Sequence, residues 1–284
     1  MRVTAAMQSL IRTIGKTKGL DPAAEKLSGW VQAATRPTPV KNALSGSWLG
    51  HQVHPMLTDL PIGAWGAATV LDLTGADPAA SRRLVGLGIL ASAPTAAAGA
   101  SDWSSLYGPE KRVGLIHAAA NATASVLQIT SWLVRRRGHH GAGAALSLLG
   151  LSLTLGSSYL GGHLSFVRGS GVNHTAFQGS VRRWTDVGAD ADLVEGARSR
   201  VMVGDVPVLL IRVNSALHAI SAVCSHEGGP LDEGKLGADG CVTCPWHGSR
   251  FRIADGSVQR GPASVPQPRW EAKVEDGRIL LRSA

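Results

Sequence analysis

Acidic residues, aromatics and cysteines are all scarce in this chain of 284 residues. Asp plus Glu number 20 against 28 Lys plus Arg, a formal charge of +8. No nucleic-acid-binding motif accompanies that excess, and lipid headgroups account for it. Charged residues are only 17 % of the chain and mean hydropathy is +0.07, which excludes a chain dominated by disorder. Aromatics are 5 %, Gly numbers 35, and the apolar residues gather in the middle. That asymmetry speaks against one soluble core and for membrane segments joined to a soluble domain. Three cysteines, an odd number, exclude a fully paired disulfide framework. No apolar run follows the basic start, so no secretory signal peptide is expected. Arg182-Arg183 lies too far along the chain for a twin-arginine export signal.

What is present falls into four stretches. Residues 1–50 are polar and basic, with Asp21-Pro22 reading as a helix N-cap and N1. Leu10, Ile11 and Ile14 form part of an apolar stripe beside Arg12, Lys16 and Lys18, suited to an anionic membrane surface or to an ordinary solvated face. Residues 51–168 hold four hydrophobic stretches, at 60–71, 84–101, 113–134 and 141–167. The last three are uncharged for about 20 residues, the length a bilayer core asks of a helix. A four-helix transmembrane bundle is expected, with small residues such as Gly86, Gly88, Ala96 and Ala100 allowing close helix contact. A linker at 169–183 follows. From 184 to 284 the pattern becomes short β runs with Gly/Asp turns, at 201–203, 206–213, 217–223 and 279–282, the last after Glu275-Asp276-Gly277. The expected fold class is therefore multidomain: an α-helical four-span membrane bundle plus a small all-β domain.

The chemistry sits in the β domain. Cys224-Ser225-His226 is followed, after seventeen residues, by Cys244-Pro245-Trp246-His247-Gly248-Ser249. Two thiolates and two imidazoles suit a Cys₂His₂ zinc site. A zinc finger, however, pairs Cys with Cys and His with His, whereas each loop here gives one of each. That distribution fits a 2Fe–2S centre with two Cys on one iron and two His on the other. Residues 184–284 resemble the Rieske family on these motifs. The resemblance implies that Cys224 and Cys244 hold the inner iron, that His226 and His247 hold an outer, solvent-facing iron, and that Ser249 bonds a bridging sulfide. Gly229 and Trp246 stand where the respiratory branch carries two further cysteines, and Phe251 stands where it carries a tyrosine. The loss of that clip and that hydroxyl implies a lower potential and a likeness to the ferredoxins of ring-hydroxylating dioxygenase systems. Cys241 is left over and reads as a small buried residue. The acidic-residue and histidine spacing of an oxygenase iron site is absent, so no organic substrate is assigned.

The helical part has its own constellation. His54-Pro55-Met56-Leu57-Thr58-Asp59-Leu60-Pro61 makes residues 50–170 resemble a bacterial membrane domain of unknown function. Alternating spans bring His51, His54, Asp59, Asp102, His117 and His163 to one membrane face, where ionisable groups are functional suspects. Two imidazoles suit a haem b, with His54 paired to His163 or His117. A non-haem metal, a quinone or plain interfacial capping are the other readings. His139, His140 and Arg135 to Arg137 read as a solvated basic loop. The expected whole is a multi-pass protein of the bacterial inner membrane, with its Rieske domain in the cytoplasm. It passes single electrons between unknown donor and acceptor proteins or quinone. The alternative is a redox-sensing or anchoring subunit of an oxygenase or reductase system.

Overall fold

A computed structural model describes residues 2–284. The chain divides into two compact units: 1–37 with 52–170, and 38–51 with 171–284. The stretch expected as one N-terminal segment, 1–50, thus runs across both.

In the first unit, α1 spans Arg2–Lys16, α2 Asp21–Ala34, α4 Val53–Leu73, α5 Pro78–Trp103, α6 Gly108–Arg136 and α7 His140–Gly162. Helix α5 opens on an Asp77 cap, whose carboxylate accepts the Ala79 N–H at 2.8 Å, with Pro78 in its first turn; both features favour initiation. Asp21 does not cap α2 as expected. Leu20 is the cap residue, and the Asp21 carboxylate instead receives Arg112 Nε at 2.6 Å and Nη2 at 2.8 Å. A bidentate guanidinium outcompetes a capping N–H. Nor does the stripe of α1 all face outward: Ile11 is buried with Val113, Leu160 and Leu164, while Leu10 is half exposed.

The α4–α7 layer is built inside out relative to a soluble bundle. Many of its buried positions are small or polar, Ala68, Ala98, Ala124, Ser131, Ser147 and Gln128 among them, beside a few large ones such as Trp65 and Val85. Large apolar side chains point away, with Leu73 76 % and Leu90 75 % exposed. Water would penalise that arrangement and lipid tolerates it. Two helices, Pro78–Trp103 and His140–Val167, are long and apolar enough to cross a membrane. Helices α4 and α6, expected as the other two spans, fall short of that composition. Helix α6 meets α7 through polar contacts: Gln128 Nε2 donates to Ser147 O at 3.0 Å and Ser131 Oγ to Gly143 O at 2.6 Å.

Arg135, read from sequence as part of a solvated loop, is a correction. Its side chain is fully buried against Asp72 of α4, with Nη1 2.8 Å from Asp72 Oδ1 and 3.0 Å from Ser81 Oγ. A buried guanidinium is tolerable only when paired and hydrogen-bonded in this way.

The second unit begins with α3, Thr38–Ser45, and continues into ten strands. β1 (Thr185–Ala189), β2 (Arg198–Val203), β3 (Val206–Val213), β4 (Ala216–Ser221), β9 (Arg269–Glu275) and β10 (Arg278–Ser283) form an antiparallel sheet in the order β1-β10-β9-β4-β3-β2. β5 (Lys235–Leu236), β6 (Cys241–Thr243), β7 (Arg250–Arg252) and β8 (Val258–Arg260) form a second, smaller sheet. The Asp276-Gly277 link between β9 and β10 has φ of 49° and 72°, the two positive values of a type I′ hairpin turn. Leu209, Ile220, Leu231, Val242 and Phe251 pack together with Cys224 and Cys244 in one core, which fixes the base of the site.

Candidate metal centre

Two loops leave that core side by side. One runs from β4 toward Leu231, and the other joins β6 to β7. In each, a cysteine N–H donates to the carbonyl five residues on: Cys224 to Gly229 O and Cys244 to Ser249 O, both 2.8 Å. In each, a glycine N–H returns to the cysteine carbonyl, Gly228 to Cys224 O at 2.9 Å and Gly248 to Cys244 O at 3.1 Å. Both glycines take positive φ, 75° and 72°, which a side chain resists.

This folding turns the four chemistry-bearing side chains toward one another. His226 Nδ1 and His247 Nδ1 are 3.2 Å apart, with the rings nearly perpendicular at 84°. Two nitrogens about 2.1 Å from one metal in a tetrahedral arrangement lie about 3.4 Å apart. The Cys224 and Cys244 sulfurs are in hydrogen-bond contact. The N–H groups of His226 and Glu227 point at the first sulfur, and those of Trp246 and His247 at the second. Such donors stabilise negative sulfur. Sharing a proton with Cys224 holds Cys244 down to about 7. The same contact, with burial and the Cys244 charge, pushes Cys224 far up. Burial lowers His247 to about 4, helped by the Lys41 charge, so the imidazoles are neutral donors at pH 7. Among the described residues no three His, Cys, Asp or Glu converge on a single point. That is not the tetrahedron of one zinc ion. Two sulfurs on one side and two imidazoles on the other fit a binuclear iron–sulfur centre.

Around the four, Ser249 is fully buried and its Oγ accepts the Ala263 N–H at 2.9 Å, leaving its own proton for a further acceptor. Ser225 Oγ donates to Val265 O at 2.7 Å, so the 263–265 stretch braces both loops. A Cβ on Gly229 would lie 2.9 Å from Cys244 Sγ and 3.0 Å from the Trp246 ring. The two positions that carry cysteines in the respiratory branch are therefore neighbours here. Phe251 is buried in the core. Cys241 is buried on β6, its thiol 3.7 Å from Asp239 O. One feature departs from expectation: His226 is only 6 % exposed, whereas Trp246, beside His247, is 52 % exposed. The solvent-facing edge of the site is the second loop alone.

In the helical unit, His54 Nδ1 lies 2.9 Å from Thr95 O and His117 Nδ1 2.9 Å from Ser157 O. Gly99 gives His54 its space, since a Cβ there would come within 2.6 Å of the ring. Asn121 Nδ2 donates to Ser157 Oγ at 3.0 Å and to His117 O at 3.1 Å. His163 opens a short π turn, His163–Val167. Asp59 is exposed on α4. His51 belongs to the other unit.

Residues 183–271 match the Rieske 2Fe–2S domain model. The chain is 33 % identical over 99 residues to Ferredoxin CarAc of Metapseudomonas resinovorans, covering 34 % of this chain and 92 % of that one. It is 35 % identical to the ferredoxin component of the alkene monooxygenase system of Xanthobacter autotrophicus, covering 34 % of this chain and 80 % of that one. Mouse apoptosis-inducing factor 3 is 34 % identical over 93 residues, but the match spans 33 % of this chain and only 15 % of that protein. Among solved structures, the ferredoxin of carbazole 1,9a-dioxygenase from Nocardioides aromaticivorans IC177 aligns at 26 % identity and TM-score 0.34, over 36 % of this chain and 98 % of that one. The chain belongs to the Rieske 2Fe–2S family. Its particular form is a fusion, because residues 50–174 match a second model, described as a predicted membrane protein, DUF2231.

Proposed function

We propose that the protein carries single electrons through a Rieske-type 2Fe–2S centre held by Cys224 and Cys244 on one side and His226 and His247 on the other. The observation that carries this reading is the 3.2 Å approach of the two imidazole Nδ1 atoms, on the same two loops whose cysteines, Cys224 and Cys244, pack into one core. When bound, the cluster supplies reversible one-electron oxidation and reduction. The protein's part is to hold it: backbone N–H groups meet the thiolates, Ser249 offers a hydroxyl proton to a bridging sulfide, and neutral imidazoles withhold negative charge. The Trp246–His247 edge is where a donor or acceptor protein docks. A relative named as the ferredoxin component of an alkene monooxygenase system makes an oxygenase or reductase a fitting partner. The domains divide the work, with 51–168 in the bilayer of a bacterial inner membrane, 169–183 as linker and 184–284 as the cluster domain on the cytoplasmic side.

A second redox site in the helical unit completes a path to a haem or a quinone. Of His51, His54, His117 and His163, the first candidates are His54 and His117. Each directs Nδ1 at a backbone carbonyl, which turns Nε2 toward a metal; at His117 the Asn121 carboxamide, 3.3 Å from Nε2, would have to give way. Two imidazoles would be enough to hold a haem iron, which would supply one-electron chemistry there. The alternative function is a redox-sensing or anchoring subunit with the iron–sulfur centre alone.

Metal, sulfide and haem analysis of detergent-purified full-length protein tests both levels. Two irons and two sulfides per chain, with a Rieske-type paramagnetic signal on reduction, are expected. A signal unchanged by His226→Cys would overturn the ligand set. A Soret band lost in His54→Ala or His117→Ala supports the haem. Its absence from protein made with ample haem removes the haem and leaves the first reading standing. A reporter fusion near Trp184 that reads as external reverses the orientation.

A further inference from the structure

The two long hairpins of the helical unit, α4–α5 and α6–α7, make the same contacts at matching places. His117 follows His54 by the same 63 positions that separate Arg135 from Asp72, and the matching residues of α7 follow those of α5 by one position fewer. At the first level, His54 Nδ1 lies 2.9 Å from Thr95 O and His117 Nδ1 lies 2.9 Å from Ser157 O. One turn beyond each carbonyl, a glycine makes room for the ring. A Cβ on Gly99 would stand 2.6 Å from His54, and one on Gly161 3.2 Å from His117. About three turns along, Trp65 Nε1 donates to Val85 O at 3.3 Å and Gln128 Nε2 to Ser147 O at 3.0 Å. Glycines match here too: a Cβ on Gly88 would collide with the indole, and one on Gly150 would stand 2.9 Å from Gln128 Nε2. One turn further, Ser81 Oγ donates to Ala68 O and Ser131 Oγ to Gly143 O, the same pair of positions with the hydroxyl on the other helix.

Each half holds one helix of either direction, so α4 and α6 run the same way. Parallel repeats of this kind are related by an axis along the membrane normal. Asp72 and Arg135 are equivalent positions that touch one another, and only residues beside a two-fold axis can do so. His54 stands about five turns from Asp72 on the same face of α4, and His117 stands likewise from Arg135 on α6. The axis is therefore closed by an ion pair at one end and flanked by two equivalent imidazoles at the other.

We propose that the helical unit is a duplicated hairpin whose halves each give one imidazole, His54 and His117, to a single haem iron on the pseudo-two-fold axis. The proposal rests on the haem reading above and narrows it to one shared ligand. His51 and His163, whose counterparts in the other half are not histidines, lie outside the site. Both Nδ1–H groups donate to carbonyls, so each Nε2 keeps its lone pair for the metal. Among the described residues no three His, Cys, Asp or Glu converge. A bare cation would be short of donors there, whereas a porphyrin brings four nitrogens of its own. Asn121 breaks the symmetry, with Nδ2 3.3 Å from His117 Nε2, where the other half carries Thr58.

The test is a titration of full-length protein in detergent with ferric haem, read by absorption and paramagnetic resonance. One haem per chain is expected, low-spin with two axial imidazoles. His54→Ala and His117→Ala should each abolish the low-spin signal or weaken binding about tenfold or more, and added imidazole should restore the signal. Unchanged iron–sulfur content checks that these variants are folded. His163→Ala should match the parent. Asn121→Thr, which copies the other half, should tighten binding about fivefold, the worth of one hydrogen bond. A low-spin haem that survives loss of either His54 or His117, or two haems per chain, overturns the proposal and leaves a haem site standing. Folded parent that takes up no haem overturns the haem reading itself, and the proposal with it. The duplication has its own readout at the closed end, where a Cβ on Gly143 would collide with the Arg135 stem. Asp72→Arg with Arg135→Asp alone sets that stem against Ser81 and should lower the thermal midpoint. Adding Ser81→Gly and Gly143→Ser moves every partner to its equivalent seat and should recover most of the loss. No recovery overturns the equivalence of the halves.

Discussion

Gly228 and Gly248 occupy one position in two copies of the same turn. Each lies four residues after a cysteine, returns its N–H to that cysteine's carbonyl, and adopts a positive φ. A side chain at Gly248 meets open space, so substitution there isolates the backbone cost, about 1–2 kcal/mol for an L-residue in the left-handed region. Gly248→Val should lower the thermal midpoint by several degrees and reduce bound iron. Gly248→Asn, which tolerates the conformation, should recover much of both. Equal loss in the two variants would argue against a conformational cause.

The contact between Gly229 and Trp246 offers a disulfide. A Cβ on residue 229 would stand 3.1 Å from Trp246 Cγ, near where a cysteine sulfur at 246 would sit. Bridged cysteines place their Cβ atoms about 3.5–4.5 Å apart. Gly229→Cys combined with Trp246→Cys should form a bond detectable by mass spectrometry and non-reducing electrophoresis. The midpoint potential should rise, because the clip holds the loops and stabilises the reduced cluster. Removal of the bond with a mild reductant should return the potential toward that of the parent.

Acid should destabilise the protein once its metal is removed. Burial lowers His226 well below its ordinary value, aided by His247, Lys41 and His174, and burial lowers His247 to about 4. The unfolded chain takes up these protons near pH 6.5. The folded chain binds fewer protons in that interval, so stability is complete above about pH 6.5 and declines as pH falls toward about 4. The thermal midpoint of chelator-treated protein should follow that course. A double variant, His226→Gln with His247→Gln, should show a flatter profile.

Arg135 and Asp72 should reveal themselves by asymmetry. Removing one partner strands the other, and Arg135→Gln should cost about 3–5 kcal/mol. The double variant Arg135→Gln with Asp72→Asn should recover much of that loss in detergent thermal melts. A loss in the double variant equal to the sum of the two single losses would mean the pair is not coupled.

Much of this was legible in the residues, for different reasons in different places. Strand β3 coincides with the β-rich run 206–213 because Val208 to Ile211 are buried on both faces of the sheet, which asks for an unbroken apolar run. Asp276-Gly277 announces its own hairpin. The four proposed ligands come from pairing Cys with His in each loop, and the glycines of the two loops share one offset, a signal present in the sequence but visible as a repeat only beside the folded turns. Three features were not legible. Nothing local marks α3 as bound to β8, because Asn42 and Gly261 are 219 residues apart. Lys41 resembles any basic residue until its burial is seen. Arg135 sits among Arg136 and Arg137, and only Asp72, 63 positions earlier, distinguishes it. The amphipathic stripe of α1 misled for a related reason: a helix face has the same sequence whether it meets lipid or Val113.

The same separation of 63 positions sets an order of events on the ribosome. Asp72 leaves the exit tunnel with α4 well before α6 delivers its guanidinium. Through that interval the nascent α4–α5 hairpin can offer the carboxylate only the Ser81 hydroxyl, 2.6 Å away in the finished protein. Closure of the helical layer therefore waits on its third long helix, and a chain stalled before residue 135 would present its quality-control machinery with an acid that has nowhere to go.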